Sequence, residues 1–312
     1  MSAVLVLPGT APEAEWLEAR RRGITASEIA VVMGLSPYSS PYALYHQKTG
    51  DLPGEEENDA MRLGSYMEGF VADRFAERHP EFGLGGDGRT LWAHMDRPWQ
   101  MATPDRIVFE AARISGPNLA VLECKIDGGS DGWGDDGTDE IPVHYRCQVL
   151  WQLDVMGVTT GFVACLFLHS RQVRVYELTM DDQAEADLEL MRNEANDFLY
   201  RIRFGFPPEV DWRPATSAAL KRLHPDVEDT DVIIPATLGR RYRAACAAYR
   251  KAEHRRDLAV NQVRARLASG HRAVLPDGEL VARRDVYDVK EHVRKASHVD
   301  KLVPVKPKEA KS

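Results

Sequence analysis

Thr103-Pro104-Asp105 and, eighteen positions after the aspartate, Glu123-Cys124-Lys125 are the residues whose types and spacing could do chemistry. Residues 118–126 alternate like a strand, and a period of two puts Glu123 and Lys125 on one face with Leu119 and Val121. Charges at the end of an apolar row are costly to bury unless they are paired or hold a metal. If Asp105 opens the neighbouring strand of a hairpin, its carboxylate comes beside Glu123, with Lys125 next to both. Two adjacent carboxylates repel, and a divalent cation is the common remedy. Oxygen-only ligation favours Mg²⁺, or Mn²⁺ in its place, over zinc. Such an ion lowers the pKa of bound water and neutralises charge on a phosphoryl transition state, while a nearby ammonium orients the water. The expected chemistry is metal-assisted phosphodiester hydrolysis. A structural Glu123–Lys125 salt bridge, with Asp105 unrelated, is the competing reading of the same residues.

The elements that must position these groups are legible in outline. Helical patterns cover residues 13–33, with a break at Gly23 and a second helix opened by Thr25 or Ser27 as N-cap, Glu28 lying beside its positive end. Ser36-Pro37-Tyr38-Ser39-Ser40-Pro41 reads as a loop before a short helix at 43–49. A further helix over 59–79, stopped by His79-Pro80, carries an inward stripe of Met61, Gly64, Ser65, Glu68, Ala72 and Phe75. Glu68 is the acid in that stripe, readable as a further metal ligand or as an ordinary half-exposed glutamate. Strand-like runs follow near 90–94, 99–102, 106–111, 119–126, 161–168 and 172–178, with helices at 142–156 and 181–203 among them. Strands interrupted by helices give an α/β (α+β) domain over residues 1–214. Residues 215–235 read as a polar, proline-bounded linker. Residues 236–312 read as an appendage: a long basic helix closed by Gly270, a hairpin around Pro276-Asp277-Gly278, and a frayed Lys/Pro-rich end from Val303.

Charge divides along the same line. The chain carries −8 overall, yet residues 236–312 hold nineteen Lys/Arg against nine Asp/Glu, while residues 1–235 hold 21 against 39. A basic appendage on an acidic domain suggests a polyanion as partner; a solvated basic helix reads equally well from charge alone. The composition, 44% hydrophobic and 28% charged, excludes extensive disorder and fibrous repeats. No apolar run reaches the roughly 18 residues of a membrane span, and residues 1–8 lack a basic n-region, so an intracellular, cytoplasmic chain is expected. Cys124, Cys147, Cys165 and Cys246 lie far apart without zinc spacing, and are expected to be reduced, mostly buried thiols.

Four blocks together resemble a known family. Pro104-Asp105…Glu123-Cys124-Lys125 looks like the PD-(D/E)xK nuclease signature. Trp16-Leu17-Glu18-Ala19-Arg20…Gly23-Ile24-Thr25-Ala26-Ser27-Glu28 is similar to the opening of the YqaJ-type viral recombinase family, which includes lambda exonuclease. Gly64-Ser65-Tyr66-Met67-Glu68 resembles its helix with the first acidic residue, and Trp133, Ile141-Pro142 and Tyr145-Arg146-Cys147-Gln148-Val149 resemble the segment after its lysine. The resemblance spans about residues 16–178. It implies a restriction-endonuclease-like core, a mixed central sheet flanked by helices. It implies Asp105, Glu123 and the backbone carbonyl of Cys124 as metal ligands, Lys125 positioning the attacking water, Glu68 organising the metal or water site, and Gln148 near water or the scissile phosphate. Arg20 and Ser27 fall where the family's exonuclease binds a 5′-phosphate.

The activity implied is a 5′→3′ exonuclease on double-stranded DNA ends in phage-type recombination, phage-encoded or bacterial. A single-strand annealing protein would be its partner and a ring-like trimer its assembly. An endonuclease or structure-specific nuclease of the same fold is the second reading, and a non-catalytic nuclease-derived DNA-binding protein the third. The Gly/Asp-rich loop over 127–140 departs from the shortest family members, and its acids would repel DNA unless they bind metal or turn away.

Overall fold

The computed structural model describes residues 3–54, 58–112 and 119–288. It divides into two compact units, Met1–Pro225 and Asp226–Ser312. In the first, the chain runs through β1 (Ala3–Leu7), α1 (Glu13–Arg21), β2 (Ile24–Thr25), α2 (Ala26–Val32), α3 (Pro41–Thr49) and α4 (Asp59–Arg78). There follow β3 (Phe82–Gly85), β4 (Leu91–His94), β5 (Gln100–Ala102), β6 (Arg106–Glu110), β7 (Ala120–Asp127) and α5 (Val143–Met156). The unit closes with β8 (Thr160–Phe167), β9 (Gln172–Thr179), α6 (Asp182–Phe204) and α7 (Pro214–Leu223). The second holds α8 (Ala236–Leu267), β10 (Arg272–Val274) and β11 (Leu280–Arg283).

The expected α/β architecture is present. Its central sheet has the order β3-β6-β7-β8-β9 and is mixed: β7 pairs antiparallel with β6 and parallel with β8. Parallel neighbours need a long crossover, and α5 supplies it between β7 and β8. Alternation along the strands then sorts side chains to two faces. Ala120 and Leu122 meet Val71, Ala72 and Phe75 of α4 on one side, while Val121 packs with Val149, Leu150 and Leu153 of α5 on the other. α2 and α6 add Ile29, Leu188 and Ala195 to the α5 side, so α5 is largely buried beyond its first turn. Each of its fully buried Leu and Val side chains contributes about 2 kcal/mol of hydrophobic stabilisation.

A second sheet, β1-β4-β5-β2, ties the N-terminal helices to this core. β2 runs parallel to β5, and the Ile24 amide donates to the Trp99 carbonyl at 2.7 Å. A Cβ on Gly23 would lie 2.1 Å from that carbonyl oxygen, so the break between α1 and α2 has to be glycine. Thr25, not Ser27, is the N-cap of α2, and Glu28 returns its carboxylate to the Thr25 amide at 2.9 Å in a capping box.

Several sequence expectations change. The strands β1, β2 and β3 were not foreseen. The stretch expected as a linker opens with α7, whose Thr216 donates to Ser40 at 2.7 Å and whose Ala219 is buried against α3. The inward stripe on α4 holds only in its C-terminal half: Val71, Ala72 and Phe75 are buried, whereas Met61 is exposed. Leu119 precedes β7 and is exposed, so the apolar row on the Glu123 face starts at Val121. The end of α8 has its positive-φ residue at Ala268, two positions before Gly270. The four cysteines are free thiols, two of them buried. No helix among the described residues is long and apolar enough to cross a membrane, and the end from Val303 lies outside those residues.

In the second unit α8 runs 32 residues without one buried side chain, and β10 and β11 form the expected hairpin, with Gly278 at a φ of 90° in its turn.

Candidate active site

The register of β6 against β7 pairs Arg106 with Leu122, which sets Asp105 at the mouth of the hairpin opposite Glu123 and Cys124. The Cys124 amide donates to Asp105 Oδ2 at 2.7 Å, fixing that carboxylate to the neighbouring strand. Glu123 is 3% exposed, and its burial is tolerated because three side chains donate to it. Lys125 Nζ lies 2.6 Å from Oε1, Gln148 Nε2 reaches the same oxygen at 2.5 Å, and Gln152 Nε2 donates to Oε2 at 2.7 Å. Lys125 Nζ also donates to Gln148 Oε1 at 3.2 Å and stands 4.8 Å from the centre of the Tyr145 ring. The Glu123–Lys125 salt bridge therefore exists, and Asp105 is not unrelated to it.

Electrostatics sharpen the picture. Burial, then the Glu123 carboxylate, hold the Asp105 carboxyl well above the usual carboxylate range, with Glu68 adding to the effect. Burial opposes the charge on Lys125, but Glu123 and Asp105 more than offset it, so its pKa lies above the ordinary lysine value. The acids thus exceed the cation that serves them, a deficit a divalent ion would relieve. Among the described residues no group of three or more His, Cys, Asp or Glu side chains is gathered as a metal cage. The two neighbouring carboxylates, Asp105 and Glu123, are oxygen donors of the kind that suit Mg²⁺.

Glu68 stands at the edge of this group, half-buried, with Oε1 accepting from Arg106 at 2.6 Å. The sequence reading missed both Arg106 and Gln152. Gln152 is a fully buried amide one turn beyond Gln148 on α5. Its Oε1 is buried without a partner among the described residues.

Arg20 and Ser27 are brought together from α1 and α2, the guanidinium donating to Ser27 Oγ at 3.0 Å and to Thr25 Oγ1 at 3.2 Å. Arg20 also lies over the Trp16 ring, 4.4 Å from its centre. Lys48, buried on α3, donates to the Arg20 carbonyl at 2.9 Å and pairs with Glu28 at 2.8 Å. Burial lowers the Lys48 pKa, and the Glu28 charge opposes that shift. Two acids of the Gly/Asp-rich loop have partners within the protein: Asp127 accepts from Trp133 Nε1 at 3.0 Å, and Asp136 pairs with Arg78 at 2.7 Å.

A mixed sheet thus presents Asp105, just before β6, beside Glu123-x-Lys125 of β7, with Glu68 and Gln148 on flanking helices. Residues 15–162 match the model of the YqaJ-like viral recombinase domain, and over that stretch the chain is similar to it. The uncharacterized protein YqaJ of Bacillus subtilis (strain 168) is 27% identical over 224 residues, which cover 70% of this chain and 66% of that protein, just under two thirds of its length. Solved structures similar to the chain include an alkaline exonuclease from Laribacter hongkongensis, at 18% identity and a TM-score of 0.46 over 62% of this chain and 94% of that one. A phage-related exonuclease from Haemophilus somnus 129PT aligns at 8% identity and a TM-score of 0.43, over 59% and 96%.

Proposed function

We propose that the chain is a Mg²⁺-dependent deoxyribonuclease acting 5′→3′ on the ends of duplex DNA, supplying single strands to an annealing protein. The observation that carries the reading is the hydrogen-bonded group Asp105, Glu123, Lys125, Gln148 and Gln152 on adjoining elements. Asp105, Glu123 and the Cys124 carbonyl would hold the metal. A bound divalent ion supplies a hydroxide-like nucleophile and neutralises charge on the phosphoryl group. Lys125 keeps its proton beside Glu123 and can donate to the attacking water or a phosphate oxygen. Gln148, bonded to both Lys125 and Glu123, fixes their mutual orientation and leaves its amide facing the same space. The Arg20–Ser27 pair offers a guanidinium and a hydroxyl to a terminal phosphate, a match for an anion.

A linear duplex labelled at either its 5′ or its 3′ end, incubated with Mg²⁺ beside a closed circle, tests this reading. Loss of 5′ label alone, halted by EDTA and faster on 5′-phosphorylated than 5′-hydroxyl ends, is expected. Arg20→Ala should erase that phosphate preference more than it slows cutting. Cleavage of the circle would transfer the assignment to an endonuclease, and DNA binding without any cleavage would leave a non-catalytic binding protein.

A further inference from the structure

Tyr38 stands in the loop between α2 and α3 and is 67% exposed, yet it is not a stray surface aromatic. Its amide donates to Ser36 Oγ at 3.2 Å, and Ser40, two residues on, caps α3 through the Ala43 amide at 3.2 Å. Thr216 of α7 clamps Ser40 from the other side. The loop is therefore pinned on both sides of Tyr38, and the ring is presented at low entropic cost. The Tyr38 hydroxyl meets that of Tyr145 at 3.3 Å, and its ring meets His144 edge-on at a centroid distance of 5.6 Å and an angle of 82°. His144 packs on Tyr145 at 4.0 Å, Tyr145 on the buried Trp133 at 5.5 Å, and the Tyr145 ring lies under Lys125 Nζ. A continuous aromatic ledge thus runs from the ammonium of the candidate site out to an exposed ring.

Nothing in the chemistry assigned to Asp105, Glu123 and Lys125 needs such a ledge, but a nucleic-acid substrate does. A phosphate held at Lys125 carries its sugar and base outward, and a flat, uncharged ring beside the phosphate is what a base would meet. Burial, then the Lys125 charge, lower the His144 pKa, so the imidazole behind Tyr38 is neutral at physiological pH. Its Nε2 is buried and has no partner among the described residues. Stacking of this kind tolerates any base, since every base has a π-face.

Resting on the nuclease reading, we propose that Tyr38, backed by His144 and Tyr145, is a stacking platform for the nucleobase adjoining the scissile phosphate. The test compares duplexes carrying either a normal base or an abasic site at the nucleotide next to the cleaved bond, with wild type, Tyr38→Ala, Tyr38→Phe and Tyr38→Trp. Wild type should cut the intact duplex about tenfold more efficiently than the abasic one, mainly through KM. Tyr38→Ala should abolish that difference, while Tyr38→Phe and Tyr38→Trp, which keep a ring, should retain it. Equal efficiency on both duplexes by wild type, or an undiminished difference in Tyr38→Ala, would overturn the platform while leaving the nuclease intact. Loss of the difference in Tyr38→Phe would also overturn it, by assigning the effect to the hydroxyl contact. Failure of wild type to cut either duplex would remove the nuclease reading and the platform together.

Discussion

At the scale of single residues, Glu123 is the hub, since Lys125, Gln148 and Gln152 all donate to it. Glu123→Gln and Lys125→Ala should each cut the Mg²⁺-dependent rate by about 100-fold or more, with circular dichroism and much of the DNA affinity unchanged. Near-wild-type turnover by either purified variant would dismiss the assignment. Gln152 is a positioning residue, because it touches Glu123 and not the expected place of the substrate. Gln152→Leu should reduce kcat about tenfold with little change in KM, and Gln152→Glu should be worse than Gln152→Leu, since it adds a carboxylate against Glu123. A KM effect alone would contradict that role. Asp105, Glu123 and Lys125 were readable because strand alternation forces a choice of face. Gln152 was not, because α5 mixes polar and apolar residues around its circumference and gives no amphipathic stripe to say which side meets the sheet. Arg106 looked like an ordinary first residue of a strand until its pairing with Glu68 across to α4 was visible.

Among the elements, α5 is held in place by polar contacts as well as by packing. Asp154, near its end, accepts from both arms of Arg192 on α6, from Arg97, and from Gln100 of β5 at 2.6 Å. Burial pushes the Asp154 carboxyl up, but hydrogen bonds from Arg192 and Gln100 and the two guanidinium charges more than offset it, leaving the pKa below the ordinary 3.8. A depressed folded value means that the stability Asp154 contributes is fully present above its unfolded pKa and is lost as pH falls through the folded one. Removing the charge from this buried ion-paired group, Asp154→Asn should cost about 3 kcal/mol near neutrality, with the melting curves of variant and wild type converging as pH drops below 3.8. A gap that persisted undiminished in acid would assign the loss to packing. The long helices and the β6–β9 strands were legible from periodicity and from their glycine and proline ends. The short elements were not: β3 is the glycine-rich Phe82-Gly83-Leu84-Gly85, and α7 owes its place to tertiary contacts such as Thr216 with Ser40.

For the molecule as a whole, the charge division has a structural counterpart. α8 carries Arg240, Arg241, Arg243, Arg250, Lys251, Arg255 and Arg256 on a helix without buried residues, and it belongs to the second compact unit. A chain ending at Pro225 should fold, retain Mg²⁺-dependent cleavage, and bind DNA more weakly. Its salt dependence should flatten by about 0.9 log units for each phosphate that α8 no longer neutralises. An unchanged salt slope with an altered oligomeric mass would make α8 an association helix. The crossover at the centre of the core has a different consequence, one of timing. β7 and β8 cannot pair in parallel until α5 has crossed between them, and such non-local pairing is slow to form. Gln148 and Gln152 ride on that crossover, so neither can reach Glu123 beforehand. During refolding this chain should pass through no stage of weak, partial nuclease: catalytic competence should return in the same kinetic phase that buries Trp151, and in no earlier one.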